Sequence, residues 1–374
     1  MRQKEFTPLE SLLEPIPGEN ATGEDIRDDP SPASDYYSIK DTRNAARAAE
    51  RNNMFDGDSN EARDLWNKVI SLAPGILQNK SKDLEVASWY TEALIRHYGY
   101  HGLLYGFKLI HGLIEQYWDK LYPQPDEDGV ATRVLSLAGL NGQGADGVLI
   151  APIRNVPLTQ GSDPGPFSYW KYQQALDVEK IMDEEAKADK AAKLGFSNEQ
   201  VEIAVTESSD EFFINIRDDL STAIDTYREI GRILDEYCGL DDAPSTSNII
   251  NSLEDCLGAV NHIGKEKFPA EEVPEADESS ADGASDTPQT TTAAPKSTGP
   301  VQSREEAFKQ IKIISEFFRK TEPHSPISYI LDRAVLWGEM TLEELMKELI
   351  TDGSARDSYT SLTGVNTRNE DEGE

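Results

Sequence analysis

Apolar residues recur at alternating intervals of three and four positions along most of the chain, which is the spacing of amphipathic helices. The clearest apolar stripe runs from Gly102 to Leu121 and follows a helix predicted from Lys82 to His97. Gly99 separates the two segments and is typical of a helix end. The pattern therefore predicts an all-α protein whose N-terminal domain has an αα-hairpin core, with further helical stripes at Phe213–Leu234 and Ile250–Val260.

Four other segments carry weaker signals. Helices are predicted over Tyr36–Asn52 and from Ser59 to Leu72, where good helix formers follow a proline-rich start. The run VLIAPI, residues 148–153, is short, apolar and compatible with a strand. Phe167–Lys193 is predicted to form one helix with a very polar second half.

The composition changes sharply between residues 268 and 300. This stretch is rich in acids, Pro, Ser and Thr and has almost no aliphatic residues, so it cannot bury enough surface to offset the entropy of ordering. We expect a disordered tether. The chain then divides into an N-terminal helical domain (1–158), a middle helical region (159–265), an acidic linker (266–302), a small C-terminal helical domain (303–352) and a disordered tail (353–374).

The small C-terminal domain is predicted to contain three short helices that carry more apolar surface than one buried face each requires. A domain below about 50 residues seldom has a sufficient core without disulfides, metal or oligomerisation, and this one has no cysteine. Ile327, Ile330 and Val335 fall on the main apolar face of the second helix, and Ile314 falls on that of the first. The residues that face away from these stripes, and that we predict to form a self-association surface, are Ile313, Phe317, Tyr329, Leu336 and Trp337.

The corner between the first two of these helices, TEPHSP, brings an acid, a histidine and a serine close together in sequence. Glu322, His324 and Ser325 could be taken for parts of a hydrolase, but catalytic triads are assembled from distant segments, and no G-x-S-x-G elbow presents the serine. Ser325 is instead a good N-cap for a helix with Pro326 at its first position, and Pro323 belongs to the same helix corner. We predict no catalytic residue and no enzyme activity.

The charge balance limits the partners that the chain can have. It contains 36 basic and 69 acidic residues, for a formal net charge of −33. Nucleic acid and anionic membrane surfaces are disfavoured, because both require clusters of Lys and Arg, whereas partners with basic patches are favoured. The charge alone leaves two alternatives to an assembly function: an acidic protein-binding adaptor, and a decoy that mimics nucleic acid.

Metal and cofactor sites are not predicted. His97, His101 and His111 could suggest metal ligands, but Gly99 breaks the helix between His97 and His101, and no H-E-x-x-H pattern exists. The loop GLNGQGADG, residues 139–147, matches neither the phosphate-binding nor the dinucleotide-binding fingerprint. The N-terminus has no apolar signal-peptide core and no stretch is long enough to insert into a membrane, so a cytoplasmic location is expected.

Three segments together resemble the TssA (ImpA-type) family of bacterial type VI secretion systems. Two of them, EPIPGENATGEDIRDDP (14–30) and SKDLEVASWYTEALIRHYGYHGLLYGFKLIHGLIEQYWDKLYP (81–123, continuing to Arg133), resemble the N-terminal ImpA domain. The third, TEPHSPISYILDRAVLWGEMTLEELMKEL (321–349), resembles the C-terminal domain of the shorter members. The resemblance covers both ends of the chain, in the family's order.

The resemblance implies a non-enzymatic assembly protein without cofactors. It implies a homo-oligomeric ring built through the C-terminal domain, and a role in baseplate assembly and in priming the polymerisation of tube and sheath. The implied partners are other copies of the chain, baseplate subunits, the Hcp-type tube, sheath proteins and the membrane complex. The implied location is the cytoplasm, with recruitment to a secretion complex anchored in the inner membrane.

Overall fold

A computed structural model describes residues 6–56, 60–127, 129–143, 146–239, 242–269, 304–321, 326–340 and 345. They belong to two compact units, Met1–Glu275 and Ala276–Glu374. Every element of regular structure in the described residues is helical, and the only β-type pairs there are isolated bridges. The all-α prediction is confirmed. Within the same residues, no helix combines the length and the apolar character that crossing a membrane would require.

The first unit contains eleven α-helices in its described residues. They are α1 (Leu9–Leu13), α2 (Asp35–Asp56), α3 (Asn60–Asn79), α4 (Leu84–Tyr117), α5 (Ala131–Asn141), α6 (Ile150–Asn155), α7 (Tyr169–Glu179), α8 (Glu184–Leu194), α9 (Asn198–Glu207), α10 (Asp210–Cys238) and α11 (Ser247–Ile263). Short 3-10 turns follow α4 at Trp118–Lys120 and α11 at Lys265–Lys267.

Helix α4 is the predicted αα-hairpin, and the chain reverses within it at Gly99. This glycine has φ 62° and ψ −143°, a conformation that L-residues with a side chain rarely adopt. The two arms, 84–98 and 100–117, pack so closely that a Cβ on Gly102 would lie 2.4 Å from the carbonyl oxygen of Leu94. A Cβ on Gly106 would lie 2.4 Å from Oγ1 of Thr91. Glycines in the second arm therefore set the distance between the arms.

The hairpin is the centre of the first unit and is buried almost throughout both arms. Helices α1 and α3 pack against it, α10 packs along it, and α11 packs against α10. The ring of Phe107 from the second arm stacks on Tyr227 of α10 with centroids 4.5 Å apart, and both side chains are buried. The hydrophobic core is thus continuous across residue 158, from the N-terminal helices into the middle of the chain.

The structure corrects three local predictions in this unit. The apolar run at 148–153 forms no strand and instead leads into the short helix α6. A run of six apolar residues has no period that distinguishes a helix from a strand, so the sequence could not decide between them. The single helix predicted over Phe167–Lys193 is divided into α7 and α8, and Asp183 starts α8 by accepting a hydrogen bond from the amide of Ala186 at 2.8 Å. Helix α9, with a capping box from Ser197 to Gln200, was not predicted.

The second unit contains α12 (Arg304–Thr321) and α13 (Ile327–Glu339), which pack against each other. The buried hydroxyl of Ser315 lies 2.9 Å from the carbonyl oxygen of Ser328 and 2.5 Å from Oδ1 of Asp332. Arg319 also pairs with Asp332. The third predicted helix lies outside the described residues apart from Leu345.

Candidate interaction surfaces

The N-terminal segment 14–30 crosses the open end of the hairpin and is fixed there by its backbone. The amide of Lys82 donates to the carbonyl of Thr22 at 2.8 Å, and the amide of Glu24 donates to the carbonyl of Lys80 at 3.0 Å. Gly23 sits between them with φ 73°, and a Cβ at this position would lie 2.0 Å from the Lys80 oxygen. Only glycine allows this approach, and this explains the glycine in the GED sequence of the segment.

Arg27 follows this turn and connects the segment to the start of the hairpin. Its guanidinium lies 2.6 Å from Oδ2 of Asp83, 2.6 Å from Oε2 of Glu85 and 3.0 Å from Oδ1 of Asp25. Asp83 is fully buried and caps the hairpin, since its carboxylate accepts the amides of Glu85 and Val86. Burial opposes the charge on Arg27, but the neighbouring carboxylates of Asp83 and Glu85 outweigh it and raise the arginine pKa.

A second ionic cluster joins α2 to the first arm of the hairpin. Arg43 and Arg47, one turn apart on α2, share the fully buried carboxylate of Glu92 at distances of 2.5 and 3.0 Å. Burial lowers the pKa of Arg47, and its buried Nη2 has no hydrogen-bond partner in the part of the chain that the structure describes. Two guanidiniums on one carboxylate leave this cluster with a local charge of +1.

These clusters form one side of an open groove with a volume of about 570 Å³. Its floor is one face of the first arm, with Glu85, Ser88, Trp89 and Glu92 at helical spacing. Helix α2 and the N-terminal segment form one wall, and α5 forms the opposite wall. We call this feature the α2–α5 groove.

Helix α5 has an unusual distribution of side chains. Arg133 is buried and donates to the carbonyl oxygens of Trp118 at 2.6 Å and Pro123 at 3.1 Å, so it fixes the chain that leaves the hairpin. Leu135 is 67% exposed and lies at the edge of the groove. A charged side chain points inward and a leucine points outward on the same helix, and the leucine has no packing role in the unit.

The end of the groove next to α5 and the N-terminal segment is acidic. Asp25 and Asp126 both line it, and the hydroxyl of Thr132 donates to Oδ1 of Asp126 at 2.5 Å. Burial of the Tyr122 hydroxyl raises its pKa, and the charge of Asp25 adds to the effect. The guanidinium of Arg27 pairs with the carboxylates of Asp25, Asp83 and Glu85, and Asp25, Glu85 and Asp126 line the groove.

The second unit presents an apolar surface on both of its helices. Phe317 is 59% exposed and Tyr329 is 64% exposed, while Ile313 and Leu336 are also exposed and Trp337 is half-buried. We call these five residues the C-terminal apolar surface. The indole Nε1 of Trp337 is buried and has no hydrogen-bond partner among the described residues. The helical wheel placed Ile314, Ile327 and Ile330 on the main apolar faces, which we expected to be buried. This was wrong, because these three residues are exposed as well.

The helix corner lies mostly outside the described residues. Glu322, Pro323, His324 and Ser325 all belong to this gap, so the predicted cap and the hydrolase alternative stay untested. Pro326 immediately precedes α13, and its carbonyl accepts the amide of Ile330 at 3.1 Å.

The histidines considered as metal ligands lie near different partners. Nδ1 of His101 is 3.4 Å from Oδ1 of Asp219, and Nδ1 of His111 is 3.9 Å from Oε2 of Glu115. Burial and the charge of Arg63 lower the pKa of His97. The described residues include no group of three or more His, Cys, Asp or Glu side chains positioned for a metal ion.

The sequence analysis did not identify the α2–α5 groove. Part of the groove left a signal in the sequence. Arg43 and Arg47 are four residues apart and so fall on one face of a helix, and they place two positive charges together in a strongly acidic chain. The groove itself combines three segments that are distant in sequence, and Arg43 meets Glu92 across 49 residues.

Comparisons with known proteins agree on one family. Residues 13–142 match the family model described as ImpA, N-terminal, type VI secretion system. The chain is 25% identical over 305 residues to the type VI secretion system component TssA1 of Pseudomonas aeruginosa, covering 80% of this chain and 83% of that protein.

A solved structure is similar as well. It is the N-terminal domain, including the conserved ImpA_N region, of the TssA component from Burkholderia cenocepacia, with a TM-score of 0.58 and 26% identity. The match covers 71% of this chain and 97% of that one. All groove residues from Asp25 to Leu140 lie inside the matched range 13–142.

Proposed function

Residues 13–142 are an ImpA N-terminal domain and the chain is of the TssA type; from this premise we propose that it is a non-enzymatic assembly component of a bacterial type VI secretion system. It self-associates through the C-terminal apolar surface into a ring. The ring acts in baseplate assembly and primes the polymerisation of tube and sheath. Its partners are baseplate subunits, the Hcp-type tube, sheath proteins and the membrane complex.

The observation that carries the proposal is the C-terminal apolar surface. Exposed aromatic and aliphatic side chains on both α12 and α13 form a patch of the kind that marks protein–protein contacts. The helix pair buries Ser315 and Ser328 while it exposes Phe317 and Tyr329. Such a pair gains most of its apolar burial from neighbouring copies, and this supports self-association.

Static light scattering on the full chain tests this proposal. The double variant Phe317→Glu with Tyr329→Glu places two charges on the patch, and we expect the mass to fall to the 41.5 kDa of one chain. The matched control is Met182→Glu with Ile203→Glu, since these apolar residues are exposed in the first unit. The control is expected to keep the wild-type mass. A wild-type mass for the Phe317/Tyr329 variant would refute assembly through this surface.

The functional role is tested in the bacterium that encodes the chain. With the Phe317/Tyr329 variant, we expect the tube protein to be lost from the culture medium, whereas the control variant supports normal release. Normal release by a variant that is monomeric in solution would contradict the proposal that self-association is required for secretion.

A further inference from the structure

We infer that residues 6–13 are exchangeable between copies of the chain: the site that they occupy on the hairpin can be filled by the same residues of a second copy. We call residues 6–13, which include α1, the strap, and the surface of α3 and α4 beneath them the strap site. The inference goes beyond the proposed function and depends on it only for bringing copies close together. The strap site itself belongs to the first unit.

The rest of the first unit holds the strap through side chains. Three of these donate to carbonyl oxygens of the strap at 2.5, 2.6 and 2.5 Å, namely Tyr105 to Thr7, Lys82 to Leu12 and Tyr117 to Leu13. In the described residues, the backbone-to-backbone hydrogen bonds of the strap are internal to 8–14, as from the amide of Ser11 to the carbonyl of Pro8 at 3.0 Å. The strap therefore docks as a bound peptide does, with side-chain donors on its carbonyl groups.

Apolar contacts fix both ends of the strap. At one end, the ring of Phe6 lies against that of Tyr105 with centroids 4.7 Å apart. At the other end, Leu12 is fully buried, and Leu13 fills a hollow at Gly112, where a Cβ would lie 2.6 Å from Cδ1 of Leu13. The site thus accepts an aromatic residue followed six and seven positions later by two leucines. A second copy of the chain offers this pattern unchanged.

The connection that follows the strap allows exchange. Residues 14–19, EPIPGE, contain two prolines, which favour extended backbone. Among the described residues, their one backbone hydrogen bond to a later residue joins the amide of Ile16 to the carbonyl of Ala21 at 2.9 Å. Thr22 is fixed to the hairpin, since its carbonyl accepts the amide of Lys82 at 2.8 Å. Released as far as residue 19, the connection spans about 20 Å and exposes one buried side chain, that of Ile16.

The exchanged and unexchanged forms make the same contacts at the strap site. Opening alone would expose Leu12 and remove the acceptors of three donors, so a filled site is favoured. A strap from a second copy restores each of these contacts. The balance between the two forms therefore depends on the local concentration of neighbouring copies, which reaches about millimolar values when binding modules are linked over short distances. We expect exchange in the assembled protein and little of it in a dilute monomer.

Fluorescence anisotropy tests whether the site accepts a strap from outside. The probe is a fluorescein-labelled peptide of residues 1–14. The protein is the full chain with Leu12→Asp, which places a charge at a buried position and weakens the chain's own strap. We expect saturable binding with Kd below about 100 µM. A peptide that itself carries Leu12→Asp is expected to bind at least about tenfold more weakly.

A matched control and a second variant complete this experiment. The full chain with Ile203→Asp, a change at an exposed residue, keeps its own strap as a competitor and should bind the probe at least about tenfold more weakly than the Leu12→Asp chain. Phe6→Ala weakens the strap without burying a charge and serves if circular dichroism shows that Leu12→Asp loses helix. Failure of the probe to bind the folded variants would overturn the inference.

Disulfide capture tests exchange between full chains. A Cβ on Gly112 would lie 3.4 Å from Cγ of Leu13, the position that a cysteine sulfur would take, so Leu13→Cys with Gly112→Cys places two thiols within disulfide reach. Cys238→Ala and Cys256→Ala remove the native thiols. On a non-reducing denaturing gel we expect covalent dimers and larger species in at least about a tenth of the chains, beside monomers closed within one chain.

Leu13→Cys without the second cysteine is the control and should give no covalent dimer. Closed monomers alone, with all thiols consumed, would overturn the exchange. Thiols that do not react would contradict the position of the strap and overturn it as well.

The two proposals fail in different ways. With the Phe317/Tyr329 substitutions added, the covalent dimers are expected to fall by about fivefold or more, whereas the Leu12→Asp chain should bind the strap peptide with or without them. An assembled chain that closes only within itself refutes the exchange alone. A chain that is monomeric as wild type, but whose Leu12→Asp variant binds the peptide, refutes only the assembly proposal.

Discussion

The two units differ in where they place polar and apolar side chains. The first unit encloses most of its large apolar side chains and also a charged group, the fully buried Glu92 that two arginines share. The second unit has buried serines between its helices and exposed Phe317 and Tyr329 on the outside. The first unit therefore buries most of its large apolar side chains within itself, while the described helices of the second expose several of theirs.

The largest effect is expected from removing the buried charge in the first unit. Glu92→Gln leaves Arg43 and Arg47 without a counter-charge in a buried site, and we expect a loss of about 3–5 kcal/mol in the free energy of unfolding. Urea unfolding followed by tryptophan fluorescence measures it. Glu185→Gln, an exposed residue on α8, is the control and should change stability by less than about 0.5 kcal/mol. A small loss in Glu92→Gln would show that the first unit does not depend on this cluster.

The reversal of the hairpin is the next most sensitive point. Gly99→Ala introduces a Cβ at φ 62° and ψ −143°, and the expected cost is about 1–3 kcal/mol. Gly258→Ala is the matched control, because this glycine is in α11 with open space around it, and it should stabilise the protein by about 0.5–1 kcal/mol. Thermal unfolding of both variants gives the comparison. Equal shifts of the same sign would contradict the role of Gly99.

Lys82 gives the first unit a defined pH dependence. Its buried ammonium donates to the carbonyl oxygens of Leu12 at 2.6 Å and Leu77 at 2.8 Å, and burial lowers its pKa from 10.5 to about 8. Between pH 8 and 10.5 the unfolded chain binds the proton more tightly than the folded chain does. The stability of wild type relative to Lys82→Met should thus be flat below pH 8 and rise by about 1–2 kcal/mol by pH 9.5.

Urea unfolding of both proteins at four pH values measures this difference. Burial raises the pKa values of Tyr90, Tyr105 and Tyr227, which are common to both proteins, so their titration cancels in the comparison. A relative stability that falls across this range would show that Lys82 is better stabilised as a cation when folded.

The smallest effect is expected where the first unit exposes an apolar residue. Leu135→Gln should change the free energy of unfolding by less than about 0.5 kcal/mol, because the side chain is 67% exposed. Urea unfolding checks this, and Leu137→Gln, which is buried in the same helix, should lose about 2–4 kcal/mol. A large loss in Leu135→Gln would mean that the leucine has a packing role and would weaken the comparison between the units.

The parts of the fold that the sequence predicted depend on local patterns. The stripe from Gly102 to Leu121 and the break at Gly99 are visible within one window of the chain, and both arms of the hairpin follow from them. The division between α7 and α8 was missed because the second half of that segment is polar and has no buried residue to give it a period. The run 148–153 was misassigned for a different reason, because it is too short to show the period of a helix or of a strand.

The candidate surfaces, too, could be predicted only where a local pattern in the sequence indicated them. Ile313, Phe317, Tyr329 and Leu336 are exposed, as expected from their positions on single helices. The helical wheel failed for Ile314, Ile327 and Ile330, since it assumes that one whole face is covered, and a pair of helices covers only the line of contact. The α2–α5 groove could not be predicted beyond the spacing of Arg43 and Arg47, because Arg27, Arg43 and Glu92 meet only when the chain has folded.

The open end of the hairpin has a mechanical consequence. The amide of Leu84 donates to the carbonyl of Tyr122 at 2.8 Å, and the amide of Tyr122 donates to the carbonyl of Lys82 at 3.0 Å. The segment that enters the hairpin and the segment that leaves it are thus joined directly by two backbone hydrogen bonds. We expect tension applied between residues 82 and 122 to load this pair of bonds before it loads the two arms.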